Sequence, residues 1–330
     1  VATAVWALTP VGRIAPGPAL ATRFSGVNLA GGEFASSRRP GRYGYDYGYP
    51  DRRAAAPFLA AGMTAIRLPV LWERLQPVPG GPLVESDMVR LDQSIAALRG
   101  FRLIIIDIHN YARFNGVPMD QHPEWLANLW AQLARRYANQ QAIAFGLMNE
   151  PHDVAASDWR RVVDATIAAI RATGARNLVL VPGTRWTGAH SWNEGGSESN
   201  ATAFADFRDP AGNVAFELHQ YLDADSSGTH DVCVEPETAT ARLAAATNWL
   251  RAKHARGFLG EFGASAEPQC LAGLEALLAA IDHANDVWLG WTYWAGGTRW
   301  GQYSYNIQPK GDTIPLQMSV LVKHIKPTHN

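Results

Sequence analysis

The chain alternates short apolar runs with longer stretches in which apolar residues recur at intervals of three or four. The short runs are rich in branched and aromatic residues, which is typical of strands buried on both faces. Eight are present, at residues 23–31, 63–70, 101–110, 142–150, 177–183, 214–222, 257–263 and 286–297. Continuous apolar runs of this kind predict parallel strands, because parallel sheets are covered by helices on both sides.

The longer stretches between these runs predict amphipathic helices. Six are present, at residues 51–62, 86–100, 123–140, 157–174, 238–257 and 271–285. Ser86 with Asp87, and Ser157, are suitable N-cap residues, and Gly174 is a suitable helix stop.

The alternation of strands and helices predicts a parallel sheet. Eight such strands within 330 residues predict a single closed (β/α)8 barrel, a TIM barrel. An open doubly wound sheet is the alternative, which is disfavoured because no glycine-rich phosphate loop follows the first apolar run. We therefore expect one domain over residues 1–330, with its functional loops at the carboxyl ends of the strands.

Charge and hydropathy exclude several partners. The net charge is -1 and no run of Lys or Arg occurs, so we expect no binding to nucleic acid or to anionic membranes. No apolar stretch is long enough for a membrane-spanning helix, and we expect a soluble monomer. The first residues, VATAVWALTP, lack the charged leading region of an intact signal peptide, so the chain either has none or begins after its cleavage.

Two residue types leave alternatives open. Cys233 and Cys270 occur without a metal-binding spacing, so they predict either two buried thiols or one disulfide, which would indicate an oxidising compartment. The 12 tryptophans fit a large core, but their number also suggests platforms on which sugars stack.

Polar and ionisable residues recur where the predicted strands end. In chain order they are Arg67, Asp107, His109, Asn110, Asn149, Glu150, His219, Tyr221, Glu261, Trp291 and Trp294. Each alone could be structural. Together they favour a functional site, because the carboxyl ends of barrel strands open onto one face and unpaired ionisable groups are costly to bury.

Two of these residues, Glu150 and Glu261, are carboxylates from the fourth and seventh predicted strands. Glycoside hydrolysis needs such a pair, one group to protonate the leaving oxygen and the other to attack or to activate water. The attacking carboxylate must stay ionised, and Arg67 and Tyr221 are suitable donors for Glu261. This chemistry needs no metal ion or cofactor.

Six segments carry a family resemblance. They are RLPVLWERLQP, IDIHNYARFNG, LMNEPHD, HQYLDADSSGTH, LGEFGAS and WTYWAGG, in that order along the chain. With them the sequence resembles glycoside hydrolase family 5, and most of all the endo-β-1,4-glucanases (cellulases) of its subfamily 5. The likeness covers about residues 24–300, with no linker and no carbohydrate-binding module.

The resemblance implies a retaining mechanism on β-1,4-glucans through a covalent glycosyl-enzyme. Glu150 would be the general acid/base and Glu261 the nucleophile. Asn149 would bind the sugar 2-hydroxyl, and Tyr221 and Arg67 would orient Glu261. For a retaining enzyme the two carboxyl groups should lie about 5–5.5 Å apart.

The resemblance also implies binding residues around the scissile bond. His109 and His219 would line that subsite, and Trp294 would stack under the sugar on the non-leaving side. Outer subsites are expected at Tyr111, Trp186 and Trp300, whereas Trp72 and Trp192 leave two alternatives open, further stacking or packing in the core.

The resemblance favours a disulfide between Cys233 and Cys270, in a protein secreted to the extracellular space or periplasm. A mannanase, xyloglucanase or mixed-linkage glucanase is the nearest alternative activity. A metal-dependent hydrolase is another, with Asp107, His109 and His219 among its ligands together with Glu261. A third is a non-catalytic carbohydrate-binding barrel, although such proteins usually lack one carboxylate of the pair.

Overall fold

Eight parallel strands close into a barrel in the computed structural model, which describes residues 24–325. They are β1 Phe24–Leu29, β2 Ala65–Val70, β3 Leu103–Ile108, β4 Ile143–Gly146, β5 Val179–Pro182, β6 Val214–His219, β7 Gly257–Glu261 and β8 Trp288–Gly296. Each strand pairs with its neighbour in sequence, and β8 pairs with β1. The predicted (β/α)8 barrel is therefore confirmed. Arg23 of the first apolar run and the segment considered for a signal peptide lie outside the described residues.

Helices cover the outer surface of this barrel. They are α1 Arg52–Ala60, α2 Trp72–Leu75, α3 Glu85–Ala97, α4 Pro123–Tyr137, α5 Ala156–Ala172, α6 Asn200–Ala203, α7 Pro236–Ala252, α8 Pro268–His283 and α9 Leu316–Leu321. All six predicted helices are present. The prediction missed α2, α6, α9 and a small hairpin of residues 113–118, because segments of two to six residues are too short to show a periodicity.

Two predicted helix caps are wrong, since each lies at least two residues after the observed cap. Helix α3 begins after Val84, whose backbone N–H bonds to Leu75 O at 2.8 Å and so fixes the entry of the chain. Helix α5 begins after Ala155, and Ser157 lies inside its first turn, where its hydroxyl donates to Glu198 at 3.1 Å. Neither helix has a side-chain cap. Gly174 does follow the end of α5, with a φ of 87°.

The fourth strand is shorter than predicted. It ends at Gly146, although Leu147 N still bonds to Leu180 O of β5 at 3.2 Å and Asn149 N bonds to Ile108 O of β3 at 2.7 Å. Glu150 follows with a φ of 41°, in the left-handed region that non-glycine residues rarely adopt. Strained residues of this kind cluster at functional sites.

The barrel interior is apolar at the amino ends of the strands and charged at the carboxyl ends. Because side chains alternate along a strand, residues two apart share the interior face. On β2 and β3, Ala65 and Leu103 lie in the apolar interior cluster, and Arg67 and Asp107 lie above them. On β6, Ala215 belongs to the same cluster. The pleat thus directs these charged side chains into the barrel interior, and their place along the strands puts them toward the carboxyl ends.

A disulfide joins Cys233, in the loop after β6, to Cys270, in the first turn of α8. This is the pairing that the family resemblance implied. Among residues 24–325, no helix is long and apolar enough to cross a membrane.

Candidate active site

Glu150 and Glu261 both approach the same ring nitrogen of His219. The Nδ1 atom of His219 lies 2.8 Å from Glu150 Oε1 and 3.6 Å from Glu261 Oε2. One carboxylate oxygen of each glutamate and a ring nitrogen of His219 all lie within 4.8 Å of one another. The two carboxylates from β4 and β7 therefore border one space.

The two glutamates have different surroundings. Glu261 is buried, and its two oxygens accept from Arg67 Nη1 at 2.7 Å and from the Tyr221 hydroxyl at 2.7 Å. Glu150 keeps 17% of its side chain exposed, and its hydrogen bond is with His219. Two donors thus fix the direction of the Glu261 side chain, whereas Glu150 is partly open to the cleft.

Arg67 is the centre of the buried charge network. Its guanidinium is fully buried and lies within 3.0 Å of a polar atom of each of five side chains, those of Asn28, Asp107, Asn149, Glu217 and Glu261. Burial opposes its charge, but the surrounding carboxylates, led by Asp107, raise its pKa above the ordinary value. A permanent cation therefore compensates the carboxylates inside the barrel.

His219 is a second cation of this network. Burial alone would lower its pKa, but the charge of Glu261 and the hydrogen bond with Glu150 outweigh that effect and raise the pKa to about 10. Its other nitrogen, Nε2, lies 3.5 Å from Glu217 Oε1. His219 is therefore charged at neutral pH and lies between the two glutamates of the site.

His109 is fixed on three sides. Its Nδ1 lies 2.8 Å from Asp107 Oδ2, its Nε2 lies 3.3 Å from the Tyr111 hydroxyl, and its ring stacks on Trp294 at 5.5 Å between centroids. Burial opposes its charge, but Asp107 outweighs that effect and raises the pKa. The Asp107 contact sets the orientation of the ring.

A row of aromatic rings walls the cleft. In order along the wall they are Trp300, Trp294, His109, Tyr111, His152 and Trp186, with neighbouring centroids between 4.7 and 6.1 Å apart. Trp186 stacks on His152 at 4.7 Å with an 8° angle between the planes, and half of its surface is exposed. Aromatic rings arranged in series can stack against successive sugar rings of an oligosaccharide.

A cavity of about 500 Å³ opens beside Glu150. Its lining comes from the loops after β4, β5 and β6, at Glu150, Arg185, Trp186, His190, Ser191, Glu194, Asp225, Ser226 and Ser227. The cavity therefore adjoins one of the two carboxylates of the site.

The structure brings nearly all of the sequence-predicted residues to this face, with three exceptions. Trp72, Trp192 and Trp291 are fully buried, and each packs against core aromatics. Of the two alternatives for Trp72 and Trp192, core packing is the one observed, and Trp291 was wrongly expected at the site, because a buried indole has no free face. Trp300 is half-buried against Phe34 at 4.7 Å and Tyr303 at 4.6 Å.

Three site residues were missed from the sequence. Glu217 is fully buried on β6, where burial raises its pKa but Arg67 outweighs that effect and lowers it. A Cβ at Gly260 would overlap its carboxylate. Asn28 accepts from Arg67 at 2.9 Å, and His152 supports Trp186. A charged residue two positions before His219, within the apolar run VAFELH, was the available signal for Glu217.

The metal-site alternative involved Asp107, His109, His219 and Glu261. The Arg67 guanidinium lies 3.0 Å from Asp107 Oδ1 and 2.7 Å from Glu261 Oε1, so it already neutralises the two carboxylates of that set. The geometry favours a carboxylate pair over a metal centre.

Two carboxylates that border one space at the mouth of a (β/α)8 barrel, beside a wall of aromatic rings, define a glycoside hydrolase. A comparison with protein-family models agrees. The model described as cellulase (glycosyl hydrolase family 5) matches residues 24–297. The chain belongs to this family.

Several characterised proteins are similar over nearly the whole chain. An endo-β-1,4-glucanase B of Emericella nidulans is 34% identical over 291 residues, which covers 87% of this chain and 86% of that protein. The solved structure of XacCel5A in complex with cellopentaose is 43% identical, has a TM-score of 0.90, and covers 92% of this chain and 99% of that one. The endoglucanase Cel5A of Pseudomonas stutzeri in complex with cellobiose is 30% identical, with a TM-score of 0.84 and 92% coverage of both chains.

Proposed function

We propose that the protein is a retaining endo-β-1,4-glucanase that hydrolyses internal bonds of cellulose and soluble β-glucans. The observation that carries the proposal is the approach of the two carboxylates, which have oxygens within 4.8 Å of each other. Retaining enzymes hold their carboxyl groups about 5–5.5 Å apart, whereas inverting enzymes leave about 6.5–9.5 Å for a water molecule.

In this proposal Glu261 is the nucleophile and Glu150 the general acid/base. Glu150 donates a proton to the leaving oxygen while Glu261 attacks the anomeric carbon and forms a glycosyl-enzyme. Glu150 then removes a proton from water, which attacks the same carbon and releases the sugar. The two donors on Glu261, Arg67 and Tyr221, support its role because they aim an ionised oxygen into the cleft.

The neighbouring residues would bind the sugars on either side of the bond. Asn149 is oriented by Arg67 at 2.8 Å and would bond to the 2-hydroxyl. His109 and His219 would line the subsite of the scissile bond, and Trp294 would stack under the sugar on the non-leaving side. Outer subsites would be formed by three further members of the aromatic wall, Tyr111, Trp186 and Trp300.

The substrate follows from the relatives, which are named endo-β-1,4-glucanases, and from two solved neighbours that hold cellopentaose and cellobiose. Side-by-side assays on swollen cellulose, barley glucan, xyloglucan and mannan test this assignment. Faster turnover of mannan would contradict it.

We also propose one catalytic domain with its core in residues 24–300, acting as a monomer and without a cofactor. Export to the periplasm or the extracellular space is supported by the Cys233–Cys270 disulfide, since such bonds persist in oxidising compartments.

The mechanism is tested by product configuration and by two variants. NMR of the first products from cellotetraose should show the β-anomer, and an initial α-anomer would exclude retention. Glu150→Gln and Glu261→Gln should each lose nearly all hydrolysis while still binding cellotetraose. Near-normal rates in either variant would overturn the roles.

A further inference from the structure

The exposed tyrosine and tryptophan side chains of the described chain all lie on the catalytic face. Among residues 24–325 they are Tyr43, Tyr45, Tyr111 and Trp186, which follow the carboxyl ends of β1, β3 and β5. Tyr111 and Trp186 belong to the aromatic wall. Tyr43 is 42% exposed and Tyr45 is 66% exposed, and the catalytic mechanism uses neither of them.

The loop that carries these two tyrosines is rigidly held. The Asp46 carboxylate accepts from Arg42 N at 2.7 Å and from Arg38 Nη1 at 2.8 Å. The backbone N–H of Gly44 donates to Tyr47 O at 2.8 Å. Because the loop is already ordered, a ligand that binds to it would lose little additional entropy.

Each ring is backed by a guanidinium and presents its remaining surface outward. The Arg42 guanidinium lies 4.1 Å from the ring centroid of Tyr45, and that of Arg90 lies 4.6 Å from the centroid of Tyr43. The cations fix the rings by cation–π attraction and place hydrogen-bond donors beside them. An apolar ring face with donors at its edge is suited to a sugar, which has apolar C–H faces and hydroxyl rims.

The loop is continuous with the non-leaving end of the cleft. Arg299 donates from Nη2 to Gly44 O at 2.8 Å and from Nη1 to Tyr45 O at 3.0 Å. The next residue, Trp300, packs at 5.6 Å on Trp294 of the aromatic wall. This is the β8–β1 side of the barrel mouth, whereas the cavity beside Glu150 is built by the loops after β4, β5 and β6.

We propose that Tyr43 and Tyr45 form a glucan-binding surface that extends the cleft beyond its non-leaving end and holds further sugars of a β-1,4-glucan chain. This inference rests on the proposed glucanase function. A neutral glucan is the expected occupant because the surface continues a cleft that takes the same chain. Only substrates longer than the catalytic subsites can reach this surface.

The test compares a long and a short substrate. Tyr43→Ala combined with Tyr45→Ala should lower kcat/KM on swollen cellulose about 3- to 10-fold, as expected for the loss of two stacking contacts. Hydrolysis of cellotetraose should stay at the wild-type rate. Tyr43→Phe combined with Tyr45→Phe keeps both rings and should restore the rate on cellulose.

Binding without turnover provides a second measurement. In a Glu261→Gln background, the double alanine variant should be retained less by insoluble cellulose than its parent. Val232→Ala is the matched control, since it removes a 74%-exposed apolar side chain from another loop of the catalytic face and should change neither measurement.

Four results would overturn the inference. The first is a double alanine variant with wild-type melting temperature and wild-type activity on cellulose. The second is an equal loss on cellulose and cellotetraose, which would place the tyrosines in the catalytic subsites. The third is a loss of activity on cellulose in the double phenylalanine variant equal to that in the double alanine variant. The fourth is a wild-type protein that is a dimer and that dissociates when both tyrosines are replaced by alanine. A wild-type protein inactive on both substrates would instead refute the proposed function.

Discussion

Replacing His219 by asparagine should remove a large pH dependence of stability. His219 is buried, and its nitrogens lie within 3.6 Å of three carboxylates, those of Glu150, Glu217 and Glu261. These contacts favour the charged ring in the folded state, so folding raises the pKa from 6.5 to about 10. Asparagine keeps a polar side chain of similar size but carries no charge at any pH.

The sign follows from the direction of the pKa change. A group whose pKa is raised by folding contributes its full stabilisation below the unfolded value, and that stabilisation is lost as pH rises through the folded value. Each pKa unit corresponds to about 1.4 kcal/mol, so the rise from 6.5 to about 10 corresponds to at most about 5 kcal/mol. Between pH 6.5 and 9.5 the stability difference between wild type and His219→Asn should shrink by up to about 4 kcal/mol.

Urea unfolding followed by tryptophan fluorescence at several pH values measures this difference. The control is His254→Asn, because His254 is exposed and has a φ of 50°, which asparagine tolerates. Its stability difference from wild type should be independent of pH. A difference for His219→Asn that stays constant from pH 6.5 to 9.5 would show that the ring is not held as a cation.

Three further predictions concern stability. Arg67→Met should cost about 3–5 kcal/mol, since it leaves the buried carboxylates without their cation, and a loss below about 1 kcal/mol in urea unfolding would contradict the network. Cys233→Ser combined with Cys270→Ser frees a loop of 37 residues and should cost about 4 kcal/mol, seen as a lower Tm with little change in kcat/KM. Burial raises the pKa of Glu33 to about 6, so its stabilising contribution is lost as pH rises through that value. The free energy of unfolding of Glu33→Gln, relative to that of wild type, should therefore rise by up to about 2 kcal/mol between pH 4.5 and pH 7.5. A difference between variant and wild type that is the same at both pH values would exclude this.

The barrel and the centre of the site could be predicted from the sequence because both depend on local patterns. A strand buried on both faces must be apolar, so a polar residue near its end is conspicuous, as with Asp107 and Glu261. Closure of the barrel then brings these ends together whatever their separation in sequence. Glu217 shows the limit of that reasoning. Its position in the sequence did not indicate a role at the site, which becomes evident only from its contacts with Arg67 and His219 in the structure.

The family resemblance named residues for the outer parts of the site, but their placement could not be predicted from the sequence because it depends on loop backbone. Trp186 lies in a run of three residues, 185–187, with φ between 50° and 57°. Non-glycine residues rarely adopt this conformation, so the sequence does not predict it. Its backbone N–H bonds to Pro151 O at 2.9 Å and its ring stacks on His152. Trp72 and Trp192 have the same residue type but are buried, so composition alone could not separate platforms from core.

The surroundings of the two glutamates favour one assignment of roles over its reverse. An acid/base must reload a proton from water in each catalytic cycle, so it needs access to the cleft, whereas a nucleophile must hold one ionised oxygen in a fixed direction. Glu150 has 17% of its side chain exposed, while Glu261 has 4% exposed and accepts two hydrogen bonds of 2.7 Å. Exchanging the roles would make the more exposed carboxylate the nucleophile, and the buried carboxylate with two donors the acid that exchanges protons with water. The reverse assignment is therefore disfavoured by burial and hydrogen bonding together.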